Sequence, residues 1–309
     1  MIQDIPTKED FDAVGTTLLD QAWDMAASLL LALDDARQWV NELDVDEFWR
    51  SANVKMATAL SIAHQGAEFL IKGRIANVSP YLLIANTPRE WPKAGGSGAI
   101  SFSKFRTIDA QDLIRLHDNA AAQPLPEDFS LTFEMLRVRR NSIMHTVDRH
   151  LKVQVSELVD SILKIHKSLL PEQSWIKVRK EALYESSIAR LFSSDWVDAQ
   201  VVREFNAIKD VMPPALMREH FAFDKKKRVY LCPTCTWDTC AEIGFESRTS
   251  QLSPNSPSAE EVSCFVCESR NSVSRIPCAD IKCKGNVISL EWDKCLTCGT
   301  DTPTADTQE

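Results

Sequence analysis

Phe129-Ser-Leu-Thr-Phe133-Glu-Met-Leu136-Arg137-Val-Arg139-Arg140-Asn141-Ser-Ile143-Met-His145-Thr-Val147 sets an arginine inside an apolar helical period. Phe129, Phe133, Leu136, Arg140, Ile143 and Val147 recur at steps of three and four, which places them on one face of an amphipathic helix. Arg140 is the one charged member of that face, and a guanidinium in an apolar row is costly unless something pairs with it. Asn141 and His145 are four apart and stack on a neighbouring face. Arg140 and His145 are about 140° apart around the helix by its 3.6-residue period. The long Arg side chain and a helix end near His145 would still let both groups reach one point. The plain reading is a surface helix with a snorkelling Arg and a solvated His.

Upstream, Gln123-Pro-Leu-Pro126 is a hinge that sets the start of this helix near Glu127. Before it, residues 108–121 read as a helix. Residues 77–110 hold the breakers Ser79-Pro80 and Thr87-Pro88 and a flexible Gly-rich loop at 91–98. That loop lacks the Gly-Lys-Ser/Thr ending of a phosphate-binding loop, and no strand leads into it. A long helix is expected over about 45–75, with Met56, Ala59, Leu60, Ala63, Ala67 and Leu70 as its apolar side. Those residues are mostly small, so another helix could approach closely. Its other side carries His64, Glu68 and Lys72 at four-residue steps, either as an exposed Glu–Lys pair or with Glu68 as the carboxylate that holds Arg140. Thr7-Lys-Glu-Asp10 is an N-terminal capping signal for a first helix reaching about residue 36. Downstream, 148–150 reads as a turn, 152–169 as an amphipathic helix stopped by Pro171, and 175–193 and 199–211 as two more helices before Pro213-Pro214.

All nine cysteines fall after residue 230. The pairs Cys232/Cys235, Cys264/Cys267 and Cys295/Cys298 have two intervening residues, and Cys278/Cys283 has four. Such turns present two thiolates to one tetrahedral zinc, and two turns complete a site. The eight cysteines therefore suggest two structural zinc ions in a small β-rich module resembling tandem zinc ribbons. The simplest assignment joins the first pair with the second and the third with the fourth, and a nested arrangement remains open. Cys240 is left over as a buried thiol or an alternative ligand. Catalytic zinc is not expected, because closed thiolate sites leave no open position for water. Residues 248–258 read as a mobile loop interrupting the first ribbon, and Lys225-Lys-Lys-Arg228 as a solvated linker. The expected organisation is a helical domain over 1–170, a helical connector over 171–222 and a zinc-binding region over 223–309.

The net charge of −9 excludes a broadly basic nucleic-acid coat. Any nucleic-acid contact must be local. The apolar run at 25–33 is too short to span a bilayer, and the N-terminus lacks a signal-peptide layout. Paired cysteines without an export signal read as metal ligands in a cytoplasmic protein. The ribbon region is itself acidic, so it offers a surface to a protein partner at least as readily as to DNA.

Arg140-Asn141, three further residues and His145, closing an amphipathic helix preceded by a long one, resemble the signature of the HEPN superfamily. The resemblance covers roughly residues 8–170. It implies an all-α, HEPN-like helical bundle acting as a homodimer, with two motifs facing across one cleft. It also implies a metal-independent ribonuclease that leaves a 2′,3′-cyclic phosphate, in a toxin–antitoxin, phage-defence or stress setting. His145 would be acid or base, Arg140 would hold the phosphate, Asn141 would orient either group, and Glu68 would be the acidic member. Arg137, Arg139, Arg149, His150 and Lys152 would supply the local positive field for RNA. Some HEPN toxins carry a Tyr two residues after the His, where an antitoxin modifies them; Val147 stands here, so that control is not expected. HEPN domains also serve as non-catalytic binding modules, which is the alternative reading.

Overall fold

The computed structural model describes residues 1–37, 39, 41–93, 98–145, 152–191, 194–239, 247–254 and 256–303, excepting the side chains of residues 43, 144, 145 and 194. Arg149, His150, Val147 and Cys240, named above, lie outside the described residues, as does the side chain of His145. The chain divides into two compact units, Met1–Trp175 and Ile176–Glu309.

The first unit is helical. A short strand β1 (Ile2–Gln3) leads to α1 (Lys8–Ala36), which opens on a capping box between Thr7 and Asp10. The Asp10 amide donates to Thr7 Oγ1, and the Thr7 amide donates to the Asp10 carboxylate at 2.8 Å. Next come α2 (Glu42–Val78), β2 (Ile100–Ser101), α3 (Ala110–Ala120), α4 (Glu127–His145) and α5 (Val155–Leu169). β1 and β2 form a parallel pair. α2 is the central element, packed against α1, α3, α4 and α5. Its seam with α1 is made by small residues, because a Cβ on Gly15 would lie 2.6 Å from Leu70 Cγ and 3.0 Å from the Gly66 carbonyl oxygen. Trp23, Leu19, Met56, Leu60, Leu70, Ile71, Phe129 and Phe133 are buried in the core around that seam. Arg74 of α2 donates to the carbonyls of Ser168 and Leu169, which satisfies the C-terminal end of α5.

The second unit contains α6 (Trp175–Glu185), α7 (Ser194–Val211) and α8 (Pro214–Phe221), followed by a five-stranded sheet. The helices are tied by a buried, two-pronged ion pair in which Arg179 donates to both oxygens of Glu204 at 2.9 Å. Lys225 donates to the carbonyls of Lys209, Asp210 and Met212. It thus caps the C-terminus of α7, where a cation also meets the negative end of the helix dipole, and the expected solvated linker is structural at this residue. The sheet is an antiparallel meander of β3 (Tyr230–Leu231), β4 (Arg248–Leu252), β5 (Glu261–Cys264), β6 (Arg270–Ser274) and β7 (Ile288–Ser289), with the short helix α9 (Pro233–Asp238) between β3 and β4. Its core is Tyr230, Leu252, Val262, Val273, Val287 and Leu296.

One expectation is overturned. The polar run from Arg248 was expected to be a mobile loop, yet Arg248–Leu252 is the strand β4, paired on both sides and buried from Thr249 to Leu252. Polar side chains can occupy an interior strand when their hydrogen bonds are made. Gln251 accepts from the Asp224 amide and donates to the Asp224 carbonyl, and Thr249 Oγ1 lies 3.1 Å from the Cys264 sulfur.

Two predictions follow from this packing. Alanine at Gly15 removes a helix-destabilising glycine but drives its Cβ into the buried Leu70. The expected net effect is a loss of about 1–3 kcal/mol of stability, readable as a lower denaturation midpoint; an unchanged or higher midpoint would show that the α1–α2 seam can open at no cost. The second prediction concerns His166, whose pKa burial pushes down to about 4. Its folded value lies below its unfolded one, so its contribution is complete above about pH 6.5 and is lost as pH falls toward 4. Replacing His166, packed edge-on to Trp175, with Phe should flatten the fall in melting temperature between pH 7 and 5. An identical slope in both proteins would count against it.

Candidate functional site

The apolar half of the α4 stripe does what its period requires: Phe129, Phe133 and Leu136 are fully buried. One turn further on, the stripe leaves the core and Arg140 emerges half-buried at a polar cleft. This cavity of about 360 Å³ is lined by His64, Glu68 and Lys72 of α2, Arg137, Arg140 and Asn141 of α4, and the segment 107–111. Glu68 and Arg140 also line a second cavity of about 220 Å³ with Thr58, Ser61, Ile62 and Gln65. The row His64, Glu68, Lys72 is therefore no exposed surface pair. It forms one wall of the cleft, and α4 forms the wall facing it.

His64 is almost wholly buried and stacks on Phe133 with ring centroids 4.9 Å apart. Its Nδ1 lies 3.1 Å from Glu68 Oε1, but neither ring nitrogen has an aligned hydrogen-bond partner. Burial, reinforced by the charges of Arg140 and Arg137, pushes the His64 pKa down to about 4. Burial also raises the Glu68 carboxyl above its usual range, opposed by Lys72 and Arg140. At neutral pH His64 is thus an uncharged imidazole beside a carboxyl group on which burial and the two cations act in opposite directions. Arg140 acts on Glu68 through the field across the cleft and not through a direct ion pair; its Nη1 donates to Asn141 Oδ1 at 3.1 Å. Lys72 donates to Thr107 Oγ1 at 3.3 Å.

The remaining basic residues divide. Arg137 lines the cleft but holds Glu134 through two bonds of 2.8 and 2.6 Å. Arg139 reaches Glu157 of α5 at 2.7 Å. Lys152 is exposed ahead of α5 and lies outside the cleft lining. The structure therefore brings Arg140, Asn141, Glu68 and Arg137 together, and α4 ends at His145. His64 and Lys72 are the members that sequence reasoning did not place at the site. The signal was present in the i, i+4 row, but which side of α2 meets α4 cannot be read from one helix.

The cysteines of the second unit form two groups, Cys232, Cys235, Cys264 and Cys267, and Cys278, Cys283, Cys295 and Cys298, with all sulfurs of a group within 4.8 Å of one another. The first pair joins the second and the third joins the fourth. Across the pairs, the Sγ···Sγ distances are 3.6 and 3.7 Å in the first group and 3.6 and 4.0 Å in the second. A tetrahedron of thiolates with metal–sulfur bonds of ~2.3 Å has edges of about 3.8 Å, so both groups fit one such ion each. Backbone amides are already aimed at the sulfurs: those of Cys235 at Cys232, Val266 and Cys267 at Cys264, Asp280 at Cys278, and Gly285 at Cys283. N–H donors of this kind stabilise thiolates and fix their orientation. A closed four-sulfur set holds a metal for structure and leaves it no position for substrate. Among the described residues no helix is long and apolar enough to cross a membrane.

No family model, curated protein or solved structure matches the chain.

Gly285 tests the second cluster. A Cβ there would stand 2.6 Å from Thr297 Oγ1 and 3.0 Å from Cys295 Sγ. Gly285→Ala should halve the bound metal while leaving the helical circular-dichroism signal in place; full metal content in the variant would show that this knuckle is not built as described.

Proposed function

We propose that the helical unit is a HEPN-type, metal-independent endoribonuclease, and that the second unit is a tandem zinc-ribbon-like module holding two structural Zn²⁺ ions. The observation that carries the nuclease reading is the cleft itself. Arg140 interrupts the apolar stripe of α4 where Glu68, Lys72 and Asn141 line a polar cavity with it. Cleavage of RNA without a metal needs a base for the 2′-hydroxyl, an acid for the leaving 5′-oxygen and fixed positive charge beside the phosphate. Arg140 supplies that charge through its fork of donors. Asn141, bonded to it, holds its position or reaches the phosphate. His145, at the end of the same helix, serves as acid or base near neutral pH. Glu68 balances Arg140 across the cleft. The buried, uncharged His64 packs the floor and does not take the proton-transfer role. Attack of the 2′-oxygen then leaves a 2′,3′-cyclic phosphate and a free 5′-hydroxyl.

A homodimer belongs to this reading. Leu131 and Val138 are 65% and 55% exposed on α4, with Met135 half-buried between them. By the 3.6-residue period this strip lies on the side of α4 away from Arg140; it is a surface a second copy would cover, while the convergence of two motifs on one cleft rests on the resemblance alone. The paired thiols fit a reducing compartment such as the cytoplasm. A toxin, phage-defence or stress role rests on the resemblance alone.

The second reading, a non-catalytic RNA- or protein-binding module, is favoured by the neutralised cations: Arg137 and Arg139 are engaged by Glu134 and Glu157. The two readings part in one experiment. RNA cleavage should survive chelators, yield cyclic-phosphate ends and disappear in both Arg140→Ala and His145→Ala while the fold persists. Intact RNA with the wild-type dimer, or full cleavage by both variants, would reject the nuclease reading.

A further inference from the structure

The two cysteine clusters share a donor set but not an environment. In the first, Cys232, Cys235 and Cys264 are buried. Its remaining member, Cys267, is partly covered, and its Sγ lies 3.0 Å from Ser269 Oγ. The cluster sits among β3, α9, β4 and β5, with Phe265 and Val266 buried beside it. In the second, only Cys295 is buried; Cys278 and Cys283 are half-buried and Cys298 is exposed. The loop that carries Cys278 and Cys283 is open to solvent, with Ile281 96% exposed. The exposed Cys298 Sγ lies 3.6 Å from Cys278 Sγ, the shorter of the two cross-pair contacts in this cluster.

Thiolate oxidation follows access to solvent, and a thiolate with a second one beside it ends as a disulfide and not as an isolated oxidised sulfur. From this contrast we infer that the second cluster is a peroxide-sensitive site, in which Cys298 is oxidised first and Cys278 resolves it, while the first cluster is inert. The Cys298 thiolate attacks one oxygen of a hydroperoxide. The O–O bond breaks, hydroxide leaves and a sulfenic acid forms on Cys298. The Cys278 thiolate then attacks the Cys298 sulfur, the S–O bond breaks, and a second hydroxide departs as the S–S bond forms. The two sulfurs lose two electrons together and the peroxide oxygens gain them. Two of the four ligands, Cys283 and Cys295, then remain, too few to retain a metal of the kind proposed.

The switch has somewhere to act. The second cluster is continuous with the sheet edge: Ile288 of β7 bridges to Cys295, the Leu231 amide of β3 donates to the Leu296 carbonyl, and Arg248 of β4 donates to the Thr297 carbonyl. Trp292, between β7 and Cys295, packs edge-on against Trp237 of α9 with centroids 5.6 Å apart. Opening the second knuckle removes this contact and uncovers the β3 edge, while the sulfur bonds within the first cluster stay intact.

The test uses the full chain loaded with Zn²⁺ and treated with graded hydrogen peroxide. Released zinc is read with a chromogenic chelator, and remaining thiols are trapped by alkylation and located by mass spectrometry. The expected result is early loss of one of two zinc ions, with Cys278 and Cys298 protected from alkylation as one linked peptide, reversed by dithiothreitol. Loss of Trp237–Trp292 packing should appear as a fluorescence change that is absent in Trp292→Phe. Cys298→Ser should abolish the early phase. Because that variant could lose its metal outright, the alkylation order in the wild-type chain stands as the independent measurement. Equal rates at the two clusters, earlier oxidation of Cys232–Cys267, or a disulfide joining any other pair would overturn the inference.

Discussion

Everything in the first unit depends on how α2 is shared. A 37-residue helix that packs against α1, α3, α4 and α5 has few exposed positions left between Met56 and Ala76. On the α1 side the constraint is steric, and Gly15 and Gly66 meet where larger residues cannot. On the α4 side the constraint is electrostatic, because His64 and Glu68 must enter the protein with the helix. Burial answers by neutralising the imidazole and raising the carboxyl. Arg140 then has a place to be: a guanidinium interrupting an apolar stripe is tolerable because that stripe ends against a wall carrying Glu68.

Much of this was legible in the residues, for reasons that can be stated. The helices of the first unit follow from apolar periodicity, and the α1 start from Thr7 and Asp10, because both are local properties. The small side of α2 announced a close neighbour. The cysteine spacing announced two four-sulfur groups, since a two-residue turn can do little else with both thiolates. What was not legible is tertiary. Arg139 finds Glu157 across two helices, and Lys225 finds the end of α7, through contacts that no spacing encodes. β4 escaped because its Thr, Ser and Gln look like loop residues; Gln251 finds its partner in Asp224 and Thr249 in Cys264, while the buried Ser250 hydroxyl is held in the strand by the backbone ladder alone. His64 was seen on the right face of α2, but its near-total burial depends on Phe133 from α4.

The second unit obeys a different constraint. Its sheet core is small, Tyr230 to Leu296 with few large side chains, and a module of that size gains little from apolar burial alone. A metal held by each four-sulfur group would supply what the core lacks, because metal binding to ligands assembled only in the fold is folding free energy. This explains why the sulfurs sit at turns with amides already aimed at them. It also separates the two units chemically, with sulfur clusters in the second and oxygen and nitrogen groups around the cleft of the first.

That cleft has to work within an acidic chain of net charge −9. Arg137 and Arg139, which would seem to enlarge the positive field around the motif, each face a carboxylate at hydrogen-bonding distance. Among the described residues the hydrogen-bond partners of Arg140 and Lys72 are neutral, Asn141 and Thr107, and the two cations stand on opposite walls of one cavity. Attraction for a polyanion is therefore short-ranged, screened beyond about 10 Å at ordinary salt. A ligand held by two cations in a shaped cleft must be chosen by fit and not by bulk charge. For an RNA, that favours a single phosphate presented by an unpaired, accessible segment over the uniform backbone of a duplex.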